Sequence, residues 1–280
     1  MTVQTVATPL PVPQPQPNRG GHFSPAENNA PRFGRDGGTL GRDGGTFGDA
    51  GAGSEASVGS AELMLMLLAD ARLPTGAHTQ SAGLEPAMRH GVSVAEVPEL
   101  IAARLSTVTA VEAGTAVVAR YLAVESRFGG LAAVDDAWQA RTVSPALREA
   151  SALAARGYLR LLRSLWPAAP GIAALTALTR PCRAVVLGVT AAVSGLSAAQ
   201  LVRLIGNDDA ATIAAAVLKI EPVDPVRTTR WVLEAQPQIE RLAVRLGPIS
   251  TVDEIPALAA PLIEEWAELH ATTTQRLFRA

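Results

Sequence analysis

The sequence predicts an all-α fold, a single bundle-like helical domain of roughly eight to ten helices by the spacing of its apolar residues. Hydrophobic residues make up 48% of the chain but aromatic residues only 4%, so the core is built mainly from alanine, leucine and valine. Alanine and leucine are among the strongest helix formers. No segment shows the sustained alternation of apolar and polar residues that is typical of a strand.

Residues 1–59 differ in composition from the rest and are predicted to form a disordered Pro/Gly-rich extension. Proline recurs at alternate positions in PLPVPQPQP, which favours polyproline II and leaves open a role as a proline-rich ligand. A tandem repeat follows, Gly34–Leu40 and Gly41–Phe47. Such a segment has too little apolar surface to offset chain entropy. We therefore expect the helical domain to span residues 60–280.

The first helices are predicted from their caps and breakers. Ser60 caps the apolar segment AELMLMLLADARL, which Pro74 and Gly76 bring to an end. In the next helix, GLEPAMRHG, Ser81 lies before the N-terminal end and Gly91 at the C-terminal end. The segment between the two helices, LPTGAHTQSAG, is therefore a turn.

Longer helices are predicted in the rest of the chain. A helical region extends from Ser93 to about Arg127, with an interruption near Gly114. Ser144 and Pro145 provide a cap and a proline at the first helical position, so a helix begins there and ends near residue 165. Further helices are predicted over residues 182–194, 198–205, 208–220, 226–245 and 257–277.

The helix that starts at Pro145 has an apolar stripe beside an arginine-rich face. The stripe recurs every three or four positions, at Leu147, Ala150, Ala154, Gly157, Leu161 and Leu165. Glycine costs roughly 1 kcal/mol relative to alanine in a helix, so we expect another helix to approach closely at Gly157. The neighbouring face carries Arg148, Arg156, Arg160 and Arg163. Such a face either meets solvent or docks an acidic partner.

Residue types that enzyme and metal sites need are scarce. Cys182 is the one cysteine, and it is predicted to be a small buried residue. Lys219, the one lysine, lies in VLKIEP and not after a glycine-rich loop, so the chain is not itself a P-loop nucleotidase. His78 has no second ligand at close spacing. We expect no catalytic residue, no cofactor and no metal site, and an enzyme is the less favoured interpretation.

Charge and hydropathy argue against two further classes of protein. The formal net charge of −2 disfavours a protein devoted to nucleic acid, which needs a concentrated basic surface. The most apolar stretch, Val185–Val193, is shorter than the roughly 20 residues that cross a bilayer. The N-terminal residues contain no basic region followed by an apolar run, which is the pattern of a secretory signal. We expect a cytoplasmic protein that spans no membrane.

Three segments carry motifs of mixed chemistry. The first is Leu73–Ala77 with Ser81–Glu85, the second is Arg148–Leu162, and the third comprises His270, Arg276, Leu277, Phe278 and Arg279. They resemble, in this order, a Leu-Pro-(Thr/Val)-Gly-(Ala/Gly) turn followed by Ser-x-Gly-Leu-Glu, a helix with an Arg-x-x-Ser start and an internal glycine, and a closing motif. These are motifs of the UreF family of urease accessory proteins, in its actinobacterial form. The resemblance covers roughly residues 60–280.

This resemblance implies a helical chaperone that catalyses nothing and holds no dedicated nickel site. It implies a homodimer that binds UreD (also called UreH), recruits and regulates the GTPase UreG, and docks on apo-urease for nickel insertion. An exposed Leu-Phe pair at the chain end is predicted to insert into a partner groove. The expected partner-binding residues are Pro74, Gly76, His78, Ser81, Gly83, Glu85, Arg148, Arg156, Arg276, Leu277 and Phe278.

The alternative function is a helix-turn-helix DNA-binding regulator. Gly195–Val217 has the order helix, glycine turn, helix, with Asn207 as the cap of the second helix. A recognition helix needs Arg, Lys, Asn or Gln at its exposed N-terminal positions. Asp208 and Asp209 occupy these positions and would repel phosphate, so this alternative is the weaker one.

Overall fold

The computed structural model describes residues 58–75, 79–274 and 276–278 of the chain. These residues form eleven α-helices and three one-turn 3-10 helices with no extended strand among them, so the predicted all-α class is confirmed. The α-helices are α1 (Val58–Leu68), α2 (Leu84–Arg89), α3 (Val97–Ser106), α4 (Val108–Val124), α5 (Leu131–Arg141), α6 (Pro145–Leu165), α7 (Pro170–Thr176), α8 (Arg183–Val193), α9 (Ala198–Ile220), α10 (Pro225–Leu246) and α11 (Pro261–Thr272).

Helix α4 lies at the centre of the core and packs against α8, α9, α5 and α3. Most of its side chains are buried because alanine and valine recur all round it. The crossing with α8 is close: a Cβ at Gly188 would overlap the carbonyl oxygen of Ala116. Small residues at a helix crossing let two backbones approach, which is how a core poor in aromatic residues becomes dense.

Helix α1 begins earlier than its predicted cap. Val58 is already helical, so Ser60 lies inside the first turn and not at the cap. The predicted extension, apart from its last two residues, lies outside the described part of the chain, and its disorder stays a prediction. The segment from Leu65 to Val92 includes the family-like turn and α2, and we call it the signature segment. Near its C-terminal end, Gly91 ends α2 with a φ of 101°, as predicted.

Helix α9 corrects the largest error of the sequence analysis. The predicted turn at Gly206 and Asn207 does not exist, because both residues lie inside one continuous helix of 23 residues. A Cβ at Gly206 would lie 3.0 Å from two side-chain carbons of Ile239 in α10. The glycine therefore admits a neighbouring helix and does not end its own. Without the turn, the helix-turn-helix alternative loses its structural basis.

A similar correction applies to Gly114. The helical region that starts at Ser93 breaks at Thr107, between α3 and α4, whereas Gly114 is buried inside α4. A Cβ at Gly114 would lie 2.7 Å from Pro256, so this glycine also admits a neighbour. At the true break, the hydroxyls of Ser106 and Thr107 donate to carbonyls of the preceding turn and compete with the helix pattern.

Within the described part of the chain, one stretch, Val94–Val124, is long and apolar enough to cross a membrane by length and composition. It comprises a 3-10 turn, α3 and α4, and 67% of its apolar window is buried by the rest of the fold. Burial inside a helical core is a sufficient reason for its apolar composition.

Candidate partner-binding site

The three segments that carry the family resemblance meet on one side of the fold. Helix α11 packs against both α2 and α6, so the signature segment, the arginine-bearing helix and the chain end become neighbours. A bridge fixes α11 to α6: the carboxylate of Glu268 accepts hydrogen bonds from the Ser144 hydroxyl and from the backbone N–H of Ala146. Ser144 also caps α6 by accepting from the N–H of Leu147, which confirms the predicted start of this helix.

The turn that begins at Leu73 lies directly on α6. A Cβ at Gly157 would overlap the carbonyl oxygen of Thr75, so this glycine makes room for the turn and not for the helix that was predicted. Arg160 Nη2 donates to the carbonyl oxygen of Pro74 at 3.3 Å. Pro74 itself is exposed, while Gly76 and His78 lie outside the described residues.

Tyr158 lies beneath this turn and is almost fully buried. Burial, with the nearby carboxylate of Asp208 adding to it, raises the pKa of the Tyr158 phenol to about 12. The phenol is therefore neutral over the physiological range. The adjacent buried stripe of α6 is formed by Ala146, Ala154, Ala155, Tyr158 and Leu162, whereas Leu165 of the predicted stripe is exposed.

A left-handed turn leads into α2. Ala82 and Gly83 both have positive φ, at 49° and 83°, and a side chain at Gly83 would approach Arg104 Nη1 and Ile263. Gly83, and not the predicted Ser81, occupies the N-cap position of α2, because the left-handed turn adds two residues between Ser81 and the helix. Ser81 Oγ still accepts from the backbone N–H of Glu85 at 3.3 Å. Ser81 and Glu85 are both buried, so their contacts lie within the chain and stabilise the fold.

Glu85 holds the end of the chain. Its Oε1 accepts from the backbone N–H of Leu277 and its Oε2 from that of Phe278, each at 2.9 Å. Arg89 Nη2 donates to Oε1 at 3.0 Å. Burial acts to raise the pKa of this carboxyl, but the two N–H groups, His270 and Arg89 together outweigh it, so the pKa is lowered and Glu85 is ionised.

The predicted exposed Leu-Phe pair is corrected by this arrangement. Leu277 is 69% exposed, but Phe278 is only 4% exposed and joins the core of its own chain. Glu85 accepts from the N–H groups on either side of the Leu277 Cα and so holds the backbone here, while the Phe278 ring packs into the core and the Leu277 side chain stays in solvent. Lys219 Nζ stacks over the Phe278 ring at 5.0 Å from its centroid, a cation–π contact.

His270 completes the anchorage from α11. Its Nε2 lies 3.3 Å from the carbonyl oxygen of Phe278 and 3.8 Å from Glu85 Oε2. The ring is fully buried, and its Nδ1 has no hydrogen-bond partner within the described ranges. A buried imidazole beside an ionised carboxylate thus secures the chain end.

The sequence analysis missed a buried charge network under this site. Arg104 pairs with Asp209 at 2.8 Å, and Thr109 Oγ1 donates to the same carboxylate at 2.6 Å. Burial acts to raise the pKa of Asp209, but Arg104 and Thr109 outweigh it and lower the pKa. The partners are about a hundred positions apart in the chain, so no local pattern reveals the pair.

A second part of this network centres on Arg183. Its guanidinium binds Glu112 at 2.7 Å and Asp208 at 2.6 Å, and these links join α8 to α4 and α9. The sequence suggested Asp208 and Asp209 for the start of a helix. They instead lie in the middle of α9 and pair with different arginines. The available signal was the presence of Asp208 and Asp209 inside an otherwise apolar segment.

The described residues include no group of three or more His, Cys, Asp or Glu side chains placed to hold a metal ion. Cys182 is buried at the start of α8, where burial raises the pKa of its thiol. Its backbone N–H donates to Asp135 at 2.7 Å. Cys182 therefore behaves as the small buried residue that was predicted.

The remaining predicted residues differ in exposure. Arg148 is half-buried and donates to the carbonyl oxygen of Thr142 at 3.0 Å, which is a structural role. Arg156 and Arg276 are exposed. The side chains that this site offers to solvent are therefore Pro74, Arg156, Arg276 and Leu277, supported from below by Ser81, Gly83, Glu85 and Phe278.

Comparison with known proteins gives consistent matches. A model of the UreF family matches residues 92–236. The urease accessory protein UreF of Mycobacterium marinum is 34% identical over 223 residues, which cover 77% of this chain and 97% of that relative. UreF of Mycobacterium tuberculosis is 33% identical over 224 residues, with the same two coverages. UreF of Mycolicibacterium vanbaalenii is 31% identical over 221 residues, covering 76% of this chain and 96% of that relative.

Proposed function

The chain belongs to the UreF family of urease accessory proteins, and on this premise we propose that it assists the maturation of urease without catalysing a reaction itself. In the finer form of this proposal, it acts in the cytoplasm as a homodimeric scaffold. It binds UreD (UreH), recruits and regulates the GTPase UreG, and so enables nickel insertion into apo-urease. The relatives' names and the scarcity of catalytic residue types support this role.

The anchored chain end is the observation that carries the proposal. Glu85, His270 and the buried Phe278 hold the backbone, and the same hold leaves Leu277 exposed. Because the backbone at Leu277 is already held, a partner that covers this side chain has less conformational entropy to overcome than it would on a free segment. We therefore place the UreD contact at Leu277 and the exposed Arg276 beside it in the chain.

The test compares two adjacent residues with opposite burial. Leu277→Asp should lower co-purification with UreD by at least about tenfold, the loss typical of a buried interface residue, with no change in melting temperature. Phe278→Ala should lower the melting temperature, because it empties a buried site. Val244→Asp, at a 77% exposed position on α10, is the matched control and should change neither measurement.

Two results would count against the proposal at different levels. If Leu277→Asp binds UreD as tightly as the unmodified chain, the contact lies elsewhere. If urease expressed with the other maturation proteins acquires its full nickel content in the absence of this chain, the maturation role itself is rejected. Mass determination of the purified chain by light scattering tests the homodimer.

A further inference from the structure

The charges are unevenly distributed along the chain. From Ala150 to Asn207 there are six arginines and not one aspartate or glutamate, although the whole chain carries a net charge of −2. This stretch covers most of α6, all of α7 and α8, and the first part of α9. Its positive charge must be balanced by carboxylates from elsewhere in the fold or remain unbalanced at the surface.

Three of these six arginines form salt bridges with carboxylates from outside the stretch. Arg180 pairs with Glu149, and Arg203 pairs with Glu240 at 2.8 Å. Arg183 is shared by two acidic residues in the interior. Arg156, Arg160 and Arg163 form no ion pair within the described residues, so the surplus positive charge lies on α6.

These three arginines form one exposed stripe, which we call the α6 stripe. Positions 156, 160 and 163 are separated by four and three residues, which places them on the same face of a helix, and all three are exposed. Leu153, which is 39% exposed, lies on this face as well. The helix beneath is held by the turn at Thr75 on one side and by Glu268 on another, so the stripe is presented on a rigid support.

We propose that the α6 stripe is a docking surface for an acidic face of a partner protein in the maturation assembly. The guanidinium group of an arginine binds a carboxylate through two parallel hydrogen bonds. The exposed leucine beside the arginines adds an apolar contact to this polar surface. The stripe spans only about 10 Å of helix, and Glu149 lies at its N-terminal end. So short a stripe, on a chain of net negative charge, fits a protein carboxylate cluster better than a nucleic-acid backbone. This inference rests on the proposed function and extends the candidate site from Arg156, which belongs to both, along α6.

The experiment uses the full chain with two sets of charge reversals. The stripe variant is R156E/R160E/R163E, and the control is R230E/R241E/R245E, which makes the same change of net charge at exposed positions of α10. Binding to UreD, to UreG and to apo-urease is measured separately, at about 50 mM and about 500 mM salt, since surface charge contacts weaken with ionic strength. Circular dichroism and melting temperature establish that both variants fold.

The stripe variant should bind one of these proteins at least about tenfold more weakly at low salt, and this difference should shrink at high salt. The control should bind as the unmodified chain does. Equal losses for both variants, or no loss for the stripe variant, would overturn the proposal. It would also be overturned if the unmodified chain bound duplex DNA more tightly than these proteins and only the stripe variant lost that binding. Failure of the unmodified chain to bind any maturation protein would instead refute the proposed function.

Discussion

At the scale of single residues, Glu85 is a buried carboxylate whose donors come mostly from backbone. Because the chain end supplies two N–H groups to it, the charge is stabilised without a fully buried cation. A group of this kind ties the protonation state of one residue to the position of a distant segment.

The lowered pKa of Glu85 predicts an acid-sensitive chain end. A carboxylate whose pKa is lower in the folded than in the unfolded state stabilises the fold above its unfolded pKa of about 4.3, and this contribution is lost as the pH falls through the folded value. Urea unfolding between pH 7 and pH 3 should show a steeper loss of stability for the unmodified chain than for Glu85→Gln. At pH 7, Glu85→Gln should cost about 1–3 kcal/mol, because one tail N–H loses its acceptor.

Arg89→Ala is the control for this residue. Its guanidinium contacts the same carboxylate but is 45% exposed, so its loss should cost at most about 1 kcal/mol. Parallel pH profiles for the unmodified chain and Glu85→Gln would contradict the assignment.

Gly157 gives the second prediction at this scale. An alanine in a helix is about 1 kcal/mol more favourable than glycine, so Gly157→Ala would stabilise an isolated α6. In the folded protein it should instead lower the free energy of unfolding, because the new methyl group overlaps the Thr75 carbonyl and displaces the turn. Gly129→Ala, where nothing lies within 4 Å of the added Cβ, is the control and should be close to neutral. A stabilised Gly157→Ala protein would show that the turn is free to move.

At the scale of helices, α9 connects much of the core through polar as well as apolar contacts. Asp208 and Asp209 are adjacent, yet they contact arginines on α8 and α3 respectively. Adjacent helical residues point about 100° apart, so the pair fixes α9 against two neighbours at once.

Removing one partner of the interior pair should be costly. Asp209→Ala leaves Arg104 charged, buried and unpaired, and we expect a loss of about 3–5 kcal/mol in urea unfolding. The double variant R104M/D209L, which removes both charges, should recover most of that loss. Arg203→Ala, which breaks a partly exposed pair with Glu240, should cost at most about 1 kcal/mol. A double variant as unstable as Asp209→Ala would mean that these side chains matter for packing and not for charge.

The sequence predicted helices best where the signal is local. Ser144 and Pro145 specify the start of α6 by chemistry within one turn, and the structure confirms it. Gly206 and Gly114 misled the prediction because glycine is also the usual sign of a helix end. At both positions, the reason for glycine is a side chain from a distant segment, Ile239 or Pro256, which no local pattern contains.

The same distinction explains the predicted site. Single segments were identified by their resemblance to a family, but the burial of Phe278 depends on Glu85, which lies 193 positions earlier. Side chains that contact so far along the chain become visible only in the fold. Exposure, which decides whether a residue meets a partner, was therefore predicted correctly for Leu277 and wrongly for Phe278.

At the scale of the whole molecule, residues 58–278 contain a complete core of buried apolar side chains. We expect a chain that starts at Val58 to fold alone, because the helices from α1 onward form this core. Its free energy of unfolding in urea should match that of the full chain within about 0.5 kcal/mol, the usual range for changes outside a core. A larger loss would move the predicted domain boundary toward the N-terminus.

The hydrogen bonds between Glu85 and the backbone of Leu277 and Phe278 also set an order of events during synthesis. Synthesis proceeds from the N-terminus, and Leu277 follows Glu85 by 192 positions, so the site of the Phe278 ring stays empty until that distant segment has been made. A message that stops before the codon of Leu277 would yield a protein whose buried Glu85 carboxylate lacks its two backbone donors, and cellular proteases degrade such incompletely folded chains more readily.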